Sequence, residues 1–335
     1  MATAGGARPA TVFFLPGAEA RLASLDPDRD WRELLTGERA WVLQTYLRLA
    51  AAGLPVTLAQ RLSPAGVVVY HAKHWRQLEA QRPSFGPAVL VAVRGDLHAA
   101  PNADFEVVQN RRAADGRRRF FVPHWTQPGL EPRDPGRGDE LRLVGYRGLA
   151  GHLHPELRSP GWAAALARRG LEWDAEAPGD VGGEEDRLRN RWPDYRDLDA
   201  VVSVRPPDRR LHPGKPPTKL FNAWRAGVPA VLGPESACRA ERRDPLDYIE
   251  VEAPAAALDA LVALRDDPVR YRAMRDQARR RGAEVGSEAI VAEWRQLLFE
   301  VLPERATLSA FGRRRRWPRM ARLALGHLER RLAAR

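Results

Sequence analysis

Residues 215–233, KPPTKLFNAWRAGVPAVLG, decide the fold of this chain. Apolar side chains recur there at helical spacing, and two prolines precede them, where a first helical turn needs no N–H partner. Gly227 predicts a left-handed cap at the end of the helix, and Pro229 prevents its continuation. The apolar run Ala230–Leu232 is typical of a buried parallel strand. The stretch therefore predicts a helix that leads into a strand.

Positive charge gathers where this helix begins. Lys215, Thr218 and Lys219 lie around its first turn, whose N–H groups have no partner within the helix. A helix N-terminus with two ammonium groups and a hydroxyl is an anion-binding arrangement. The alternative is a solvated charged end on an ordinary helix–strand crossover.

The same stretch resembles the donor-binding helix of GT-B glycosyltransferases, especially the bacterial group that includes sucrose synthases and mannosyltransferases. Those proteins carry the pattern K-P-x-x-K-(L/F)-x-E-A-x-A-x-G-x-P-V, and most of it is matched here. Two positions depart from the family. Asn222 replaces the Glu that usually holds the donor ribose, and Gly214 stands where the partner Glu would be. The resemblance therefore leaves the donor and the stereochemical outcome open.

Composition limits the classes of protein to consider. A chain of 335 residues with 44% hydrophobic residues is long enough for two cores. Its single cysteine, Cys238, is incompatible with an internal disulfide framework and fits a reducing compartment. Without a signal-peptide pattern or a run of eighteen apolar residues, we expect a cytoplasmic protein. The net charge of +11 favours anionic partners such as nucleotides.

The order of apolar runs predicts an α/β fold. Strand-like runs alternate with helical patterns on both sides of a charged, turn-rich segment at 131–138, which we expect to be a linker. We expect an N-terminal acceptor domain at 1–130, a C-terminal donor domain at 139–302 and a basic helix or tail at 303–335. The resemblance implies the GT-B fold, with two Rossmann-like domains facing across a cleft and a C-terminal helix crossing back.

Candidate donor-binding residues follow from where strands end, because ligands of parallel α/β sheets lie at the carboxyl ends of the strands. One predicted strand ends before Arg147 and Gly148, and another before Arg205. Cations there would stabilise the diphosphate that leaves a nucleotide-sugar, and the resemblance implies that no metal is needed. For each basic residue, the alternative is a solvated surface charge. The candidate donor set is Arg147, Gly148, Arg205, Lys215, Thr218, Lys219 and Asn222.

A short acidic motif is a candidate metal site. Asp197-Leu198-Asp199 matches the D-x-D pattern of the other glycosyltransferase fold. It opens a predicted strand, whereas metal ligation needs it on a loop at the carboxyl end of a strand. We therefore expect no metal and no cofactor, with a UDP- or GDP-sugar as co-substrate.

The acceptor is expected in the N-terminal domain. His71 follows one predicted strand and Asp96 follows the next, so either could act as a base in an inverting mechanism or orient the hydroxyl in a retaining one. His74, His98 and His124 are competing candidates, each of which could instead be structural. The turn Pro16-Gly17 could also admit the acceptor.

The C-terminal segment 313–335 contains nine Arg residues and one Glu, with apolar side chains at nearly helical spacing. This pattern indicates either an interfacial helix on anionic lipid or a packed terminal helix with a basic exposed face. The first alternative would suit a lipid-linked acceptor. No nucleic-acid-binding motif accompanies the charge, so no nucleic acid partner is expected.

These observations predict a glycosyltransferase that moves a sugar from a nucleotide-diphosphate donor to an acceptor hydroxyl, in a surface glycan or a lipid-linked sugar. Two alternatives remain. One is a nucleotide-sugar epimerase of the same architecture. The other is a catalytically silent GT-B-like protein that binds a nucleotide-sugar or a partner, which the missing glutamate pair favours.

Overall fold

The computed structural model describes residues 10–81, 88–176, 191–206 and 214–308. The chain divides into two compact units. Unit 1 comprises residues 1–125 and 290–335, and unit 2 comprises residues 126–289. The predicted basic segment 313–335 lies outside the described residues.

Unit 1 is built on a six-stranded parallel sheet with strand order β2-β1-β3-β4-β5-β6. Its strands are β1 Thr11–Phe14, β2 Val56–Ala59, β3 Val67–His71, β4 Val89–Val93, β5 Phe105–Val108 and β6 Arg119–Phe121. Its helices are α1 Gln44–Ala51, which continues the π-helical turn Arg39–Leu43, and α2 Trp75–Ala80. The valine-rich central strands are buried on both faces, as expected for a parallel sheet.

Unit 2 is built on a five-stranded parallel sheet with strand order β11-β10-β9-β7-β8. Its strands are β7 Leu143–Arg147, β8 Glu172–Glu176, β9 Ala200–Ser203, β10 Ala230–Leu232 and β11 Ile249–Glu250. Its helices are α3 Pro160–Ala167, α4 Thr218–Ala226, α5 Ser236–Glu241, α6 Pro254–Arg265, α7 Pro268–Glu284 and α8 Ser287–Gln296, of which α8 runs on into unit 1.

The stretch 215–233 folds as predicted, with one shift. Helix α4 begins at Thr218 rather than at the prolines, and Pro217 is its N-cap. Gly227 adopts a φ of 70°, so its left-handed cap is confirmed, and β10 follows directly. Helix α4 buries its apolar face, including Leu220, Phe221 and Trp224, and the indole Nε1 of Trp224 donates to the carbonyl oxygen of Asp247 at 2.9 Å.

The last described helical segment, residues 290–308, belongs to unit 1, and its apolar residues lie in the unit 1 core, which confirms the predicted return to the N-terminal part. After α8 the backbone passes through a π-helical segment, Leu297–Val301, into α9, Leu302–Leu308. Its apolar face packs among the side chains that cover the unit 1 sheet, through Ile290, Trp294, Leu297, Leu298 and Leu302. Burial of that face ties the two ends of unit 1 together.

The charged segment at 131–138, expected to be a linker, is part of unit 2. Glu131 exchanges backbone hydrogen bonds with residues 193 and 195, and the Arg133 side chain is 2% exposed. The guanidinium of Arg133 donates to Asp199 Oδ1 at 2.8 Å. A turn-rich composition therefore marks irregular backbone here and not a free connection.

Candidate functional site

The order of the unit 2 sheet creates a place for a ligand. Strands β7 and β9 are neighbours, while the chain leaves β7 for β8 on one side and β9 for β10 on the other. Such a reversal opens a crevice at the carboxyl ends of the two central strands, where α/β proteins bind ligands. Three of the predicted donor residues, Arg147, Gly148 and Arg205, lie at this point, because they end or follow β7 and β9.

Helix α4 brings Lys219 to the same crevice. The ammonium lies 4.9 Å from the centre of the Tyr146 ring, and a β-carbon added at Gly148 would overlap Nζ of Lys219. Gly148 has a φ of 156°, which residues with a β-carbon rarely adopt, and a side chain there would force the Lys219 ammonium to move. The Tyr146 hydroxyl donates to the carbonyl oxygen of Leu149 at 2.8 Å, which fixes the ring under the lysine.

The electrostatics of this lysine are unusual. Burial lowers the pKa of Lys219 to about 7, and the positive charges of Arg205 and Arg147 lower it further, opposed by Glu235. Within the described part of the chain, Lys219 forms no ion pair and no hydrogen bond. A desolvated amine beside other cations is stabilised in its charged form by a bound anion.

Arg205 is held at the edge of this crevice by Glu235. Its Nε donates to Glu235 Oε1 at 3.0 Å, and both side chains are largely buried. The turn after β10 supports the pair, since the backbone N–H of Gly233 donates to the carbonyl oxygen of Ser203 at 2.8 Å. We call Tyr146, Gly148, Arg205, Lys219 and Glu235 the switch-point cluster. Tyr146 and Glu235 were not among the residues predicted from the sequence. Glu235 could have been, because it follows strand β10 as Arg205 follows strand β9.

The side chains of two other predicted donor residues are bonded to protein groups and do not line the crevice. The buried guanidinium of Arg147 donates to Asp174 Oδ2 at 2.7 Å and to the carbonyl oxygens of Asp174 and Asp194. Asn222 is 4% exposed, and its Oδ1 accepts from the backbone N–H of Gln127 at 3.2 Å. Arg147 therefore supports the end of β7, and Asn222 anchors the segment that enters unit 2.

The remaining donor candidates lie at the start of α4. Thr218 is its first residue, and Lys215 precedes it by three positions. Both are half-buried.

The carboxylates of the D-x-D motif have different environments. Asp199 is 1% exposed and accepts hydrogen bonds from Arg133, Arg137 and the backbone N–H groups of Arg142 and Leu143. Burial opposes the charge on Asp199, but these donors outweigh it and lower its pKa. The carboxylate thus holds the start of β7 and the segment before it.

The acceptor candidates lie at the corresponding point of unit 1. His71 is the last residue of β3 and is 5% exposed, whereas Asp96 lies in the loop after β4 and is exposed. Burial lowers the pKa of His71 to about 4, aided by His74 and opposed by Asp96. The imidazole of His71 is therefore neutral at pH 7 and able to accept a proton.

The competing histidines separate by environment. His124 is buried, its Nδ1 lies 2.7 Å from the carbonyl oxygen of Trp125, and its ring meets Trp41 edge-on. His98 is exposed in the loop after β4. His74 is buried next to His71, with ring centroids 6.2 Å apart.

The fold is that of the GT-B glycosyltransferases. Among solved structures, the sucrose-phosphate synthase of Thermosynechococcus elongatus matches 89% of this chain and all of its own, with a TM-score of 0.54 and 12% identity. Anabaena HepE, solved with UDP and glucose, matches 88% of this chain and all of its own, with a TM-score of 0.52 and 11% identity.

A third match is a S. aureus TarM mutant, solved with fondaparinux, alpha-GlcNAc-glycerol and UDP. It covers 78% of this chain, with a TM-score of 0.51 and 11% identity, and this chain spans 59% of its length. Compared by sequence, the chain matches no protein-family model and none of the curated proteins. Across the described residues, no helix is both long and apolar enough to cross a bilayer.

Proposed function

We propose that this protein is a glycosyltransferase that transfers a sugar from a nucleotide-diphosphate donor to an acceptor hydroxyl. The observation that carries the proposal is Lys219. Its amine is desolvated, unpaired within the described residues and placed at the switch point of a parallel sheet beside Arg205. A pyrophosphate is the group that matches this charge and position, and its departure from a sugar needs cations of this kind.

In this proposal, Lys219 and the backbone at Gly148 bind the diphosphate. The first N–H groups of α4 add their dipoles, and Lys215 and Thr218 add an ammonium and a hydroxyl. Arg205 has one donor committed to Glu235 and keeps the rest of its guanidinium for the phosphate. The solved relatives that contain UDP favour UDP over GDP.

On the acceptor side we assign the general base to His71, with Asp96 stabilising the protonated imidazole. A neutral imidazole at the end of β3 can take the proton from the attacking hydroxyl, and the nearby Asp96 charge favours the imidazolium that forms. We propose a glycan or lipid-linked sugar as the acceptor, and peripheral contact of 313–335 with anionic lipid.

A nucleotide-sugar binding protein without transfer is the second candidate. It is favoured by Asn222, which stands at the family's ribose glutamate and is occupied by the Gln127 backbone. The two candidates differ in turnover. Incubation with UDP-glucose or GDP-mannose and a bacterial glycan extract releases nucleoside diphosphate if the protein is a transferase, whereas binding without release supports the second candidate.

A further inference from the structure

The end of β3 carries two histidines, each with one buried ring nitrogen that has no hydrogen-bond partner among the described residues. Strands β1 and β3 are neighbours at the switch point of unit 1, and β3 runs directly into the single turn Ala72–His74. His71 is 5% exposed and His74 is 8% exposed, so both imidazoles are removed from bulk water. They lie at the position where this kind of sheet binds ligands.

Each imidazole has a buried nitrogen without a hydrogen bond within the described part of the chain. The atoms are Nδ1 of His71 and Nε2 of His74. A buried polar atom without a partner destabilises the fold, so native proteins keep such atoms rarely. A ligand that supplies the missing partners would remove that cost.

The neighbours of His74 define what the missing partner is. Its Nδ1 is within hydrogen-bond distance of the carbonyl oxygen Oε1 of Gln77, which places the ring proton on Nδ1. Nε2 then carries a lone pair, and Glu38 Oε2, another acceptor, lies 3.8 Å from it. Burial lowers the pKa of His74, so the ring is neutral at pH 7. Nε2 therefore needs a donor.

A hydroxyl suits this pocket better than a cation. Lys73 already forms an ion pair with Glu38, so the carboxylate is neutralised and a second cation would be repelled. Gly37 is exposed, and a β-carbon added there would lie 3.9 Å from the His71 ring. On this side the His71 ring is reached past a residue that has no side chain.

We propose that His71 and His74 bind two hydroxyl groups of one polyhydroxylated acceptor, with His74 as a specificity-determining residue. His71 accepts from the reacting hydroxyl, and Nε2 of His74 accepts from a second hydroxyl of the same molecule. The ring separation of 6.2 Å is within the span of a single sugar ring. This inference rests on the proposed function, because it describes the acceptor side of the same reaction.

The test uses the full chain labelled with ¹⁵N-histidine. Ring nitrogen resonances are followed by NMR during titration with methyl gluco-, galacto- and mannopyranosides, with propan-1-ol as the matched single-hydroxyl probe. We expect at least one pyranoside to shift the His74 Nε2 and His71 resonances saturably, while propan-1-ol does not. No saturable shift with any pyranoside, or an equal shift with propan-1-ol, overturns the proposal.

Variants separate binding from packing. His74→Leu should weaken pyranoside binding about five- to tenfold, the effect of one neutral hydrogen bond, and His74→Gln should restore part of it by placing an amide near Nε2. His98→Leu, in an exposed loop, is the control and should bind as the wild type does. If His74→Leu binds pyranosides as the wild type does and melts at a higher temperature, His74 is a buried residue without a role in acceptor binding, and the proposal is overturned.

The two proposals fail separately. Thermal stabilisation by UDP reports on unit 2 and should persist in His74→Leu. Pyranoside binding without stabilisation by UDP would contradict the donor site but not the acceptor proposal. Stabilisation by UDP without pyranoside binding would contradict only the acceptor proposal.

Discussion

Replacing Lys219 with Met should abolish most donor binding while the protein becomes no less stable. Nζ lies 4.9 Å from the Tyr146 ring centre, and no carboxylate within the described residues pairs with it. Removing a charge-assisted hydrogen bond to a phosphate costs about 1.5–3 kcal/mol, or roughly 10- to 150-fold in the dissociation constant. Met keeps an apolar stem of similar length and removes an ammonium whose charge is opposed by burial, so the melting temperature should stay or rise.

The same lysine should make donor binding pH-dependent. With its pKa near 7, Lys219 is charged below that value and neutral above it. If the diphosphate selects the ammonium, the dissociation constant should be flat below pH 7 and rise up to about tenfold per pH unit above it. Lys219→Arg keeps the charge and should flatten the profile. Folding stability should depend on pH in the opposite direction. The pKa of Lys219 is higher in the unfolded chain than in the folded protein, so the free energy of unfolding should increase with pH above 7.

Titration calorimetry with UDP and GDP between pH 6 and 9 measures both effects. Lys73→Met is the matched control, since Lys73 is the other lysine whose pKa burial lowers among the described residues, and it lies in unit 1. Its UDP affinity should equal that of the wild type. An unchanged dissociation constant for Lys219→Met, at an unchanged melting temperature, would refute the assignment of this lysine to the diphosphate.

Four further changes test other parts of the structure. Gly148→Ala should weaken UDP binding about as much as Lys219→Met, because its β-carbon displaces the ammonium; calorimetry showing normal affinity would contradict this. Asp199→Asn should lower the free energy of unfolding by about 3–5 kcal/mol in urea, while Asp197→Asn changes it by less than about 0.5; equal effects would contradict the structural role of Asp199. The pKa of Asp199 is lowered in the fold, so the stability that its carboxylate contributes at neutral pH should be lost as the pH falls below about 4. Acid unfolding of the wild type and of Asp199→Asn, compared side by side, measures this loss. Asn222→Leu should cost about 1–3 kcal/mol in urea by leaving the Gln127 N–H unsatisfied, and a neutral result would show that this contact is dispensable.

The local sequence pattern was sufficient to predict most of the strands and the helix within 215–233. The central strands are buried on both faces and read as unbroken apolar runs, and Gly227 ends α4 because the left-handed cap is a local property. The edge strand β8, EWDAE, was missed. It borders only β7, so its sequence carries charges that hide the strand pattern.

The sequence by itself determined which residues stand at strand ends, because the alternation of strands and helices fixes the edge of the sheet where ligands bind. It did not determine where their side chains point. Arg147 turns to Asp174 and Asn222 to the Gln127 backbone, while Lys219 reaches the Tyr146 ring. Each direction depends on partners tens of residues away in the chain, and only the packing of the folded unit brings those partners within hydrogen-bonding distance.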